Sequence, residues 1–274
     1  MARPYHRRVN LAFALRLALA PGLVGLATVA ARRWGVAAGG WAAATPVVAG
    51  PVLLVYVSDH GPVFGSQAAG AATLGLISLA VFTSVYARTA LLGASWPVCL
   101  AAGWAAFAVI TAALSLVSVP TVLALAAAMV GFGVCRLALG GGATLPGQGR
   151  RLPADIPVRM LAALALVITL SLVAGFLGSR ISGLIAPFPI IGSVMAVFTH
   201  VTCGPGALQP YTDALLKGLP SFALFTATVA LTLQPLGTLV AFTLATLVAV
   251  VSHAVLITVN SRDPVARAAR TQSG

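Results

Sequence analysis

Long apolar stretches separated by short connections dominate this sequence of 274 residues. A helix needs about 20 consecutive apolar residues to cross the hydrocarbon core of a bilayer. Nine stretches approach that length, and they cover about 11–31, 35–57, 68–88, 93–116, 118–138, 158–178, 181–201, 212–233 and 236–258. The pattern therefore predicts an all-α fold, a polytopic transmembrane helix bundle of about nine spans.

The scarcity of charge excludes a soluble domain. Only 7% of the residues are charged and 59% are hydrophobic, whereas about a quarter of the residues in a soluble protein are charged. The net charge of +12 would suggest nucleic-acid binding in a soluble protein. Here most arginines fall in the connections, where they orient a membrane protein. We therefore expect the lipid bilayer and a small-molecule solute as partners, a homo-oligomer as an open alternative, and no nucleic acid.

The basic residues also indicate how the chain is oriented. When the N-terminus is placed outside, eleven of the 16 basic side chains fall on the inner side and five on the outer side. Because basic residues are enriched in cytoplasmic connections, this count favours an outer N-terminus and a cytoplasmic C-terminus. The arginine-, alanine- and glycine-rich composition is typical of a bacterial protein, so we expect the bacterial cytoplasmic (inner) membrane.

The sequence repeats itself at an offset of 143 residues. The matches combine residues that chance rarely aligns in an alanine- and leucine-rich chain. They are Arg16 with Arg159, Pro46 with Pro189, Gly61-Pro62 with Gly204-Pro205, and GLISLAVFT starting at Gly75 with GLPSFALFT starting at Gly218. We interpret this self-similarity as an internal duplication.

The duplication predicts a specific architecture. Five spans separate the starts of the two units, so the second unit enters the membrane from the opposite side. The prediction is two inverted-topology four-helix repeats joined by a central helix, a construction common among secondary transporters. The expected divisions are a first membrane unit at 1–117, a linking helix and cytoplasmic loop at 118–157, a second membrane unit at 158–260, and a basic cytoplasmic tail at 261–274.

Proline and glycine mark candidate helix breaks at aligned positions. Proline lacks a backbone N–H and loosens a helix, and broken helices in membranes present free backbone groups to a solute. Ordinary helix packing and ordinary turns are the alternative explanation. The helix-break candidates are Pro46, Gly61, Pro62, Pro189, Gly204 and Pro205.

A few polar residues stand close to these breaks. Asp59 and His60 follow span 2, His200 and Cys203 lie at and just after the end of span 7, and His253 lies inside span 9. An ionisable side chain at membrane depth suggests a function, and a histidine beside a carboxylate can exchange protons near neutral pH. These five residues are candidates for a substrate or proton pathway, expected where spans 2 and 7 approach each other. Interfacial or packing roles are the alternative.

The sequence gives little support for catalysis. His200 and Cys203 share a helix face, but a nucleophilic pair also needs an orienting group and an oxyanion donor, and the sequence identifies neither. One histidine and one cysteine are too few to form a metal site. We expect no catalytic residues, no metal and no cofactor.

The expected function is a secondary transporter or exporter of a small solute, with proton coupling as an option and a site between the repeats. A non-catalytic membrane scaffold or accessory subunit is the alternative, and an intramembrane enzyme is less favoured. The plan of four, one and four helices is loosely similar to that of the small bacterial drug/metabolite transporters. That resemblance implies an architecture and no site residues.

Overall fold

The computed structural model describes residues 22, 24–46, 49–140, 157–162, 164 and 178–261. All regular structure in these residues is helical, without a strand. Arg16, the predicted loop after the linking helix and the basic tail lie outside the described residues. The helices are α1 (24–34), α2 (Val36–Ala43), α3 (Ala49–Leu91), α4 (Trp96–Ser115), α5 (Thr121–Leu139), α6 (157–162), α7 (Ser179–Ile185), α8 (Ile190–Cys203) and α9 (Leu208–Ser261).

Five apolar segments in the described ranges are long enough to cross a membrane. They are Ala49–Leu91, Trp96–Ser115, Thr121–Leu139, Ser179–Cys203 and Pro205–Asn260. This finding confirms the all-helical fold and the membrane class. The count of nine spans stays a prediction.

Two of these segments contain a backbone break at a glycine. In α3 the break is at Gly61, with φ 85° and ψ 173°, and in α9 it is at Gly237, with φ 74° and ψ 169°. Positive φ values of this kind favour glycine, which has no Cβ. The breaks divide α3 into α3a (49–60) and α3b (62–91), and α9 into α9a (208–236) and α9b (238–261).

The two aligned Gly-Pro pairs adopt nearly the same backbone conformation. Gly204 has φ 82° and ψ 169°, close to the values at Gly61. In each pair the proline stands at the start of the following helical segment, a position where its missing N–H costs no hydrogen bond. Each Gly-Pro pair therefore ends one helix and starts the next.

The helices α3b and α9a cross in antiparallel directions. The hydroxyl of Thr73 donates to that of Thr226 at 2.8 Å, and the hydroxyls of Thr83 and Thr212 lie 3.4 Å apart. From the first contact to the second, the residue number rises in α3b and falls in α9a, so the two helices run in opposite directions. These two buried helices form the centre of the bundle.

The short helices pack on the long helix of the other half. A Cβ on Gly40, in α2, would collide with the carbonyl oxygen of Tyr211 in α9a. A Cβ on Gly183, in α7, would collide with the carbonyl oxygen of Ala68 in α3b. Adding 143 to Gly40 gives Gly183, and adding 143 to Ala68 gives Tyr211. The two close contacts are therefore equivalent and crossed between the halves.

The same crossing continues beyond the short helices. A Cβ on Gly50, at the start of α3a, would lie 3.4 Å from the ring of Phe225 in α9a. A Cβ on Gly192, near the start of α8, would lie 3.7 Å from the ring of Phe82 in α3b. Thus α2 and the start of α3a pack on α9a, while α7 and the start of α8 pack on α3b. We call each of these pairs, α2 with α3a and α7 with α8, one broken span.

The single helix α5 contacts both halves at its two ends. A Cβ on Gly70 would lie 2.9 Å from the hydroxyl oxygen of Thr121 at the start of α5. Arg136, near the end of α5, pairs with Asp213 of α9a at 2.9 Å. Gly70 and Asp213 again differ by 143, so equivalent points of the two long helices meet opposite ends of α5.

Candidate functional site

The two broken spans meet at a small cavity between the halves. The first span is interrupted between α2 and α3a, and the second between α7 and α8. We call the space where these interruptions meet the central cavity, and its volume is about 30 Å³. The lining residues that matter below are Thr45, Ala49, Leu79, Pro189, Gly192 and Phe222.

Residues at equivalent positions of the two halves line the central cavity. Leu79 of α3b and Phe222 of α9a both line it, and their numbers differ by 143. Both breaks also contribute, through Thr45 on one side and Pro189 on the other. Equivalent elements of the two halves therefore converge on one point, although none of the lining residues that the structure describes is charged.

Backbone groups supply the polarity of the central cavity. Helix α8 begins there after Pro189, and no side chain caps that helix start. The N–H of Ile190 donates to the carbonyl oxygen of Phe188 at 2.7 Å, so the donors without a partner in the first turn of the helix are those of Ile191 and Gly192. Such groups carry partial positive charge. The hydroxyl of Thr45 donates to the carbonyl oxygen of Ala42 at 2.7 Å, so its oxygen remains an acceptor. The arrangement suits a polar or negatively charged group.

The two prolines singled out from the sequence stand at these breaks. Pro46 lies in the turn before α3a, and its carbonyl oxygen accepts the N–H of Gly50 at 2.9 Å. Pro189 directly precedes α8, and its carbonyl oxygen accepts the N–H of Ser193 at 2.7 Å. Each carbonyl therefore begins the hydrogen-bond ladder of the half-helix that follows.

Asp59 and His60 lie away from the central cavity. Both side chains are exposed in the last turn of α3a, just before the break at Gly61. The ring of His60 stacks on that of Phe64, with the centroids 4.4 Å apart. These residues therefore occupy one end of the bundle, at the start of α3b.

His200 and Cys203 occupy the other end of the bundle. Nδ1 of His200 lies 3.5 Å from the hydroxyl of Tyr86, and Sγ of Cys203 lies 3.5 Å from the hydroxyl of Thr202. Phe64 and Tyr86 belong to one helix, so at about 1.5 Å per residue they stand roughly 33 Å apart along it.

The sequence led us to expect Asp59 and His60 close to His200 and Cys203. The structure instead places the two pairs far apart. The physical reason is that the long helices α3b and α9a run antiparallel. Positions that align in sequence lie at opposite ends of antiparallel helices. What meets in the middle is the pair of breaks near Pro46 and Pro189.

His253 belongs to a partly buried polar contact close to the first break. Its Nδ1 lies 2.8 Å from the hydroxyl of Ser221, and its ring meets that of Trp41 edge-on, with centroids 5.3 Å apart. In the other half, the hydroxyl of Thr111 donates to that of Ser78, the counterpart of Ser221, at 2.9 Å. His253 thus joins α9b to α9a.

Sequence reasoning assigned Arg159 to the orientation of the chain and to the repeat, but the structure buries it. Only 5% of this residue is exposed, and its guanidinium lies 4.6 Å above the ring of Phe198. The nearby hydroxyl of Tyr211 is buried and has no hydrogen-bond partner among the described residues. The alignment of Arg159 with Arg16 was the available signal, because buried charge in a membrane often has a role beyond orientation.

In the described part of the chain, no three His, Cys, Asp or Glu side chains are grouped closely enough to hold a metal ion. Comparison with known proteins finds no matching family model, curated protein or solved structure.

Proposed function

We propose that this chain is a secondary transporter of a small solute, built from two inverted four-helix repeats joined by α5. The observation that carries the proposal is the meeting of two broken spans at the central cavity. Broken helices at a repeat interface are where secondary transporters bind their solutes. The crossed glycine contacts at a constant offset of 143 support the duplication, and the antiparallel crossing of α3b and α9a supports its inversion.

The proposed site is the central cavity itself. Pockets for small molecules commonly measure about 300–1,000 Å³, whereas this cavity holds about 30 Å³. The conformation described here is therefore closed at the site. Opening would require each broken span, together with the long helix of the other half on which it packs, to move relative to the remaining helices.

The solute would carry a polar or negatively charged group. The uncapped start of α8 offers backbone donors, and Thr45 offers an acceptor oxygen. We place the protein in the bacterial cytoplasmic membrane, with nine spans, an outer N-terminus and a cytoplasmic C-terminus. Proton coupling through Asp59 and His60 would act at the end of α3a, away from the solute.

The test fills the central cavity in reconstituted protein. A panel of small carboxylic acids, amines and sugars is first screened for thermal stabilisation of the purified protein, and each hit is then tested for uptake into proteoliposomes. Gly192→Leu should abolish both stabilisation and uptake, because the new side chain occupies the cavity. Gly133→Leu is the matched control, since a Cβ on Gly133 would meet no neighbouring atom within 4 Å.

Wild-type uptake in Gly192→Leu protein would contradict this site. If no panel solute stabilises the protein and a second protein copurifies in equal amount, the scaffold or accessory-subunit alternative would replace the transporter proposal.

A further inference from the structure

A second, much larger space opens on one side of the bundle. We call it the lateral groove; it measures about 1,000 Å³ and lies between α3a and α9b. Its walls include Leu54, Phe225, Leu239, Phe242, Leu247 and Val250. Leu239 is 81% exposed and Leu247 is 58% exposed, so the groove is open on its outer side.

The equivalent position in the other half is filled by aromatic rings. The indole N–H of Trp104 donates to the hydroxyl of Ser193 at 3.0 Å. The ring of Phe188 lies 6.0 Å from that of Trp104 and 5.2 Å from that of Phe107, centroid to centroid. These three rings join α4 to the break between α7 and α8, and so close that side.

Each of those residues has a smaller counterpart at the groove. Adding 143 takes Trp104 to Leu247 and Phe107 to Val250. Subtracting 143 takes Phe188 to Thr45 and Ser193 to Gly50. All four counterparts line the groove. The groove is therefore specific to one half, and it exists because three large rings are replaced by smaller side chains.

The groove and the central cavity share one wall residue. Thr45 lines both spaces. Beside it, the groove contains Ser221 and His253, whose side chains form the 2.8 Å contact described above. The groove is therefore apolar along its length and has hydrogen-bonding side chains at its inner end.

We infer that the lateral groove admits a single-chain amphipathic molecule from the bilayer, with its apolar chain along α9b and its polar head beside Thr45, Ser221 and His253. Apolar surface is buried favourably there, and the head finds hydrogen-bonding partners that the acyl region of the bilayer lacks. The inference rests on the proposed transport function, and it identifies the solute class as an amphiphile that enters sideways.

The test uses a photoreactive fatty acid, with a diazirine on its chain, in phosphatidylcholine proteoliposomes of the full-length protein. Labelled residues are located by mass spectrometry. Labelling should concentrate on Phe242, Leu247 and Leu54. The variant Thr45→Phe/Leu247→Trp/Val250→Phe restores the three rings and should lower labelling of Phe242 by about tenfold, while the matched control Trp104→Leu leaves it unchanged. Val250→Phe alone gives a second, milder variant with a smaller decrease.

Three outcomes would overturn the inference. Labelling of α9b no stronger than that of Val130 and Leu137, which are 67% and 84% exposed on α5, would indicate ordinary lipid contact. Unchanged labelling of Phe242 in both filled variants would show that the groove is not the binding site. A dimer cross-linked through α9b, with the groove protected from label, would identify a second copy as its occupant.

The same experiment separates this inference from the transport proposal. Labelling that is specific to the groove, without uptake of any solute, would retain the binding site and reject the transporter. Uptake that is blocked by Gly192→Leu but unaffected by the filled groove would retain the transporter and reject the sideways entry.

Discussion

The hydroxyls of Thr73 and Thr226 lie 2.8 Å apart where α3b and α9a cross. Both side chains are buried. Thr226 also lies within hydrogen-bond distance of the carbonyl oxygen of Ala223, at 3.1 Å, so it can accept from Thr73 while donating within its own helix. The bond links the two helices at the centre of the bundle, between sequences that align with each other.

Replacing Thr73 by valine should weaken this crossing. Hydrogen bonds between helices in membranes contribute on average about 0.6 kcal/mol, with a maximum near 1.7 kcal/mol, so the free energy of unfolding should fall within that range. Unfolding by denaturant in detergent micelles measures the change. Thr243→Val is the control, because Thr243 is exposed and donates only to the carbonyl oxygen of Leu239 in its own helix. Equal losses in the two variants would contradict the prediction.

The crossed glycine contacts predict a paired effect. Gly40→Ala and Gly183→Ala should each reduce the free energy of unfolding by about 1–3 kcal/mol, the usual range for overpacking, because each Cβ would meet a backbone carbonyl oxygen. Gly133→Ala should be neutral or stabilising, since that glycine lies in a helix and has open space around it. A neutral Gly40→Ala would contradict the close approach of α2 to α9a.

The placement of the histidine-bearing ends predicts opposite accessibility. In a background with Cys99→Ser and Cys135→Ser, a membrane-impermeant thiol reagent should label native Cys203 from one side of the membrane. Ser58→Cys in the same background, with Cys203→Ser, should be labelled from the other side. The physical reason is the distance of roughly 33 Å between the two ends, about the thickness of the hydrocarbon core. Labelling of both positions from one side would contradict the antiparallel arrangement.

The exposed carboxylate of Asp59 gives a prediction about energy coupling. If a proton gradient drives uptake, Asp59→Asn should abolish the driven component while leaving membrane insertion and solute binding intact. Solute-induced thermal stabilisation reports binding, and uptake with and without a pH gradient reports coupling. Full proton-linked uptake by this variant would remove Asp59 from the pathway.

The ion pairs of Asp213 give a smaller prediction. Asp213 pairs with Arg136 at 2.9 Å and with Lys217 at 2.6 Å, but these side chains are partly exposed. Such pairs contribute at most about 1 kcal/mol, so Asp213→Asn should lower the free energy of unfolding by less than that amount. The decrease should diminish further at high salt, because ions screen exposed charges. A loss that is large and independent of salt would indicate a different role for Asp213.

Local patterns were the part of this fold that the sequence could predict. The apolar stretches predicted membrane helices. Asp213 and Lys217 stand four residues apart, the spacing of an ion pair on one helix, and the structure has them 2.6 Å apart. The positive φ values at Gly61 and Gly204 stand where the aligned Gly-Pro pairs suggested breaks. These features depend on a few neighbouring residues, so a single sequence contains them.

The arrangement of the candidate site depends on contacts between the halves, and the sequence could not predict it. Spans 2 and 7 were expected to approach each other near Asp59, His60, His200 and Cys203, but the first two residues lie at one end of α3b and the last two near its other end. Nothing in the sequence was a reason to select Thr45 or Gly192, because only the packing of the helices places them in one cavity. The burial of Arg159 likewise depends on α8 and α9, which follow it in the chain.

The crossed packing of the glycines bears on how the chain is made. Gly40 leaves the ribosome early, whereas Tyr211, on which it packs, is synthesised only with the second half. The first broken span is therefore synthesised before α9a, the helix on which it packs. Because native contacts of this kind join distant parts of the chain, assembly of the bundle follows insertion of its last helices. The two halves therefore depend on each other in folding, because the short helices of each half pack on the long helix of the other.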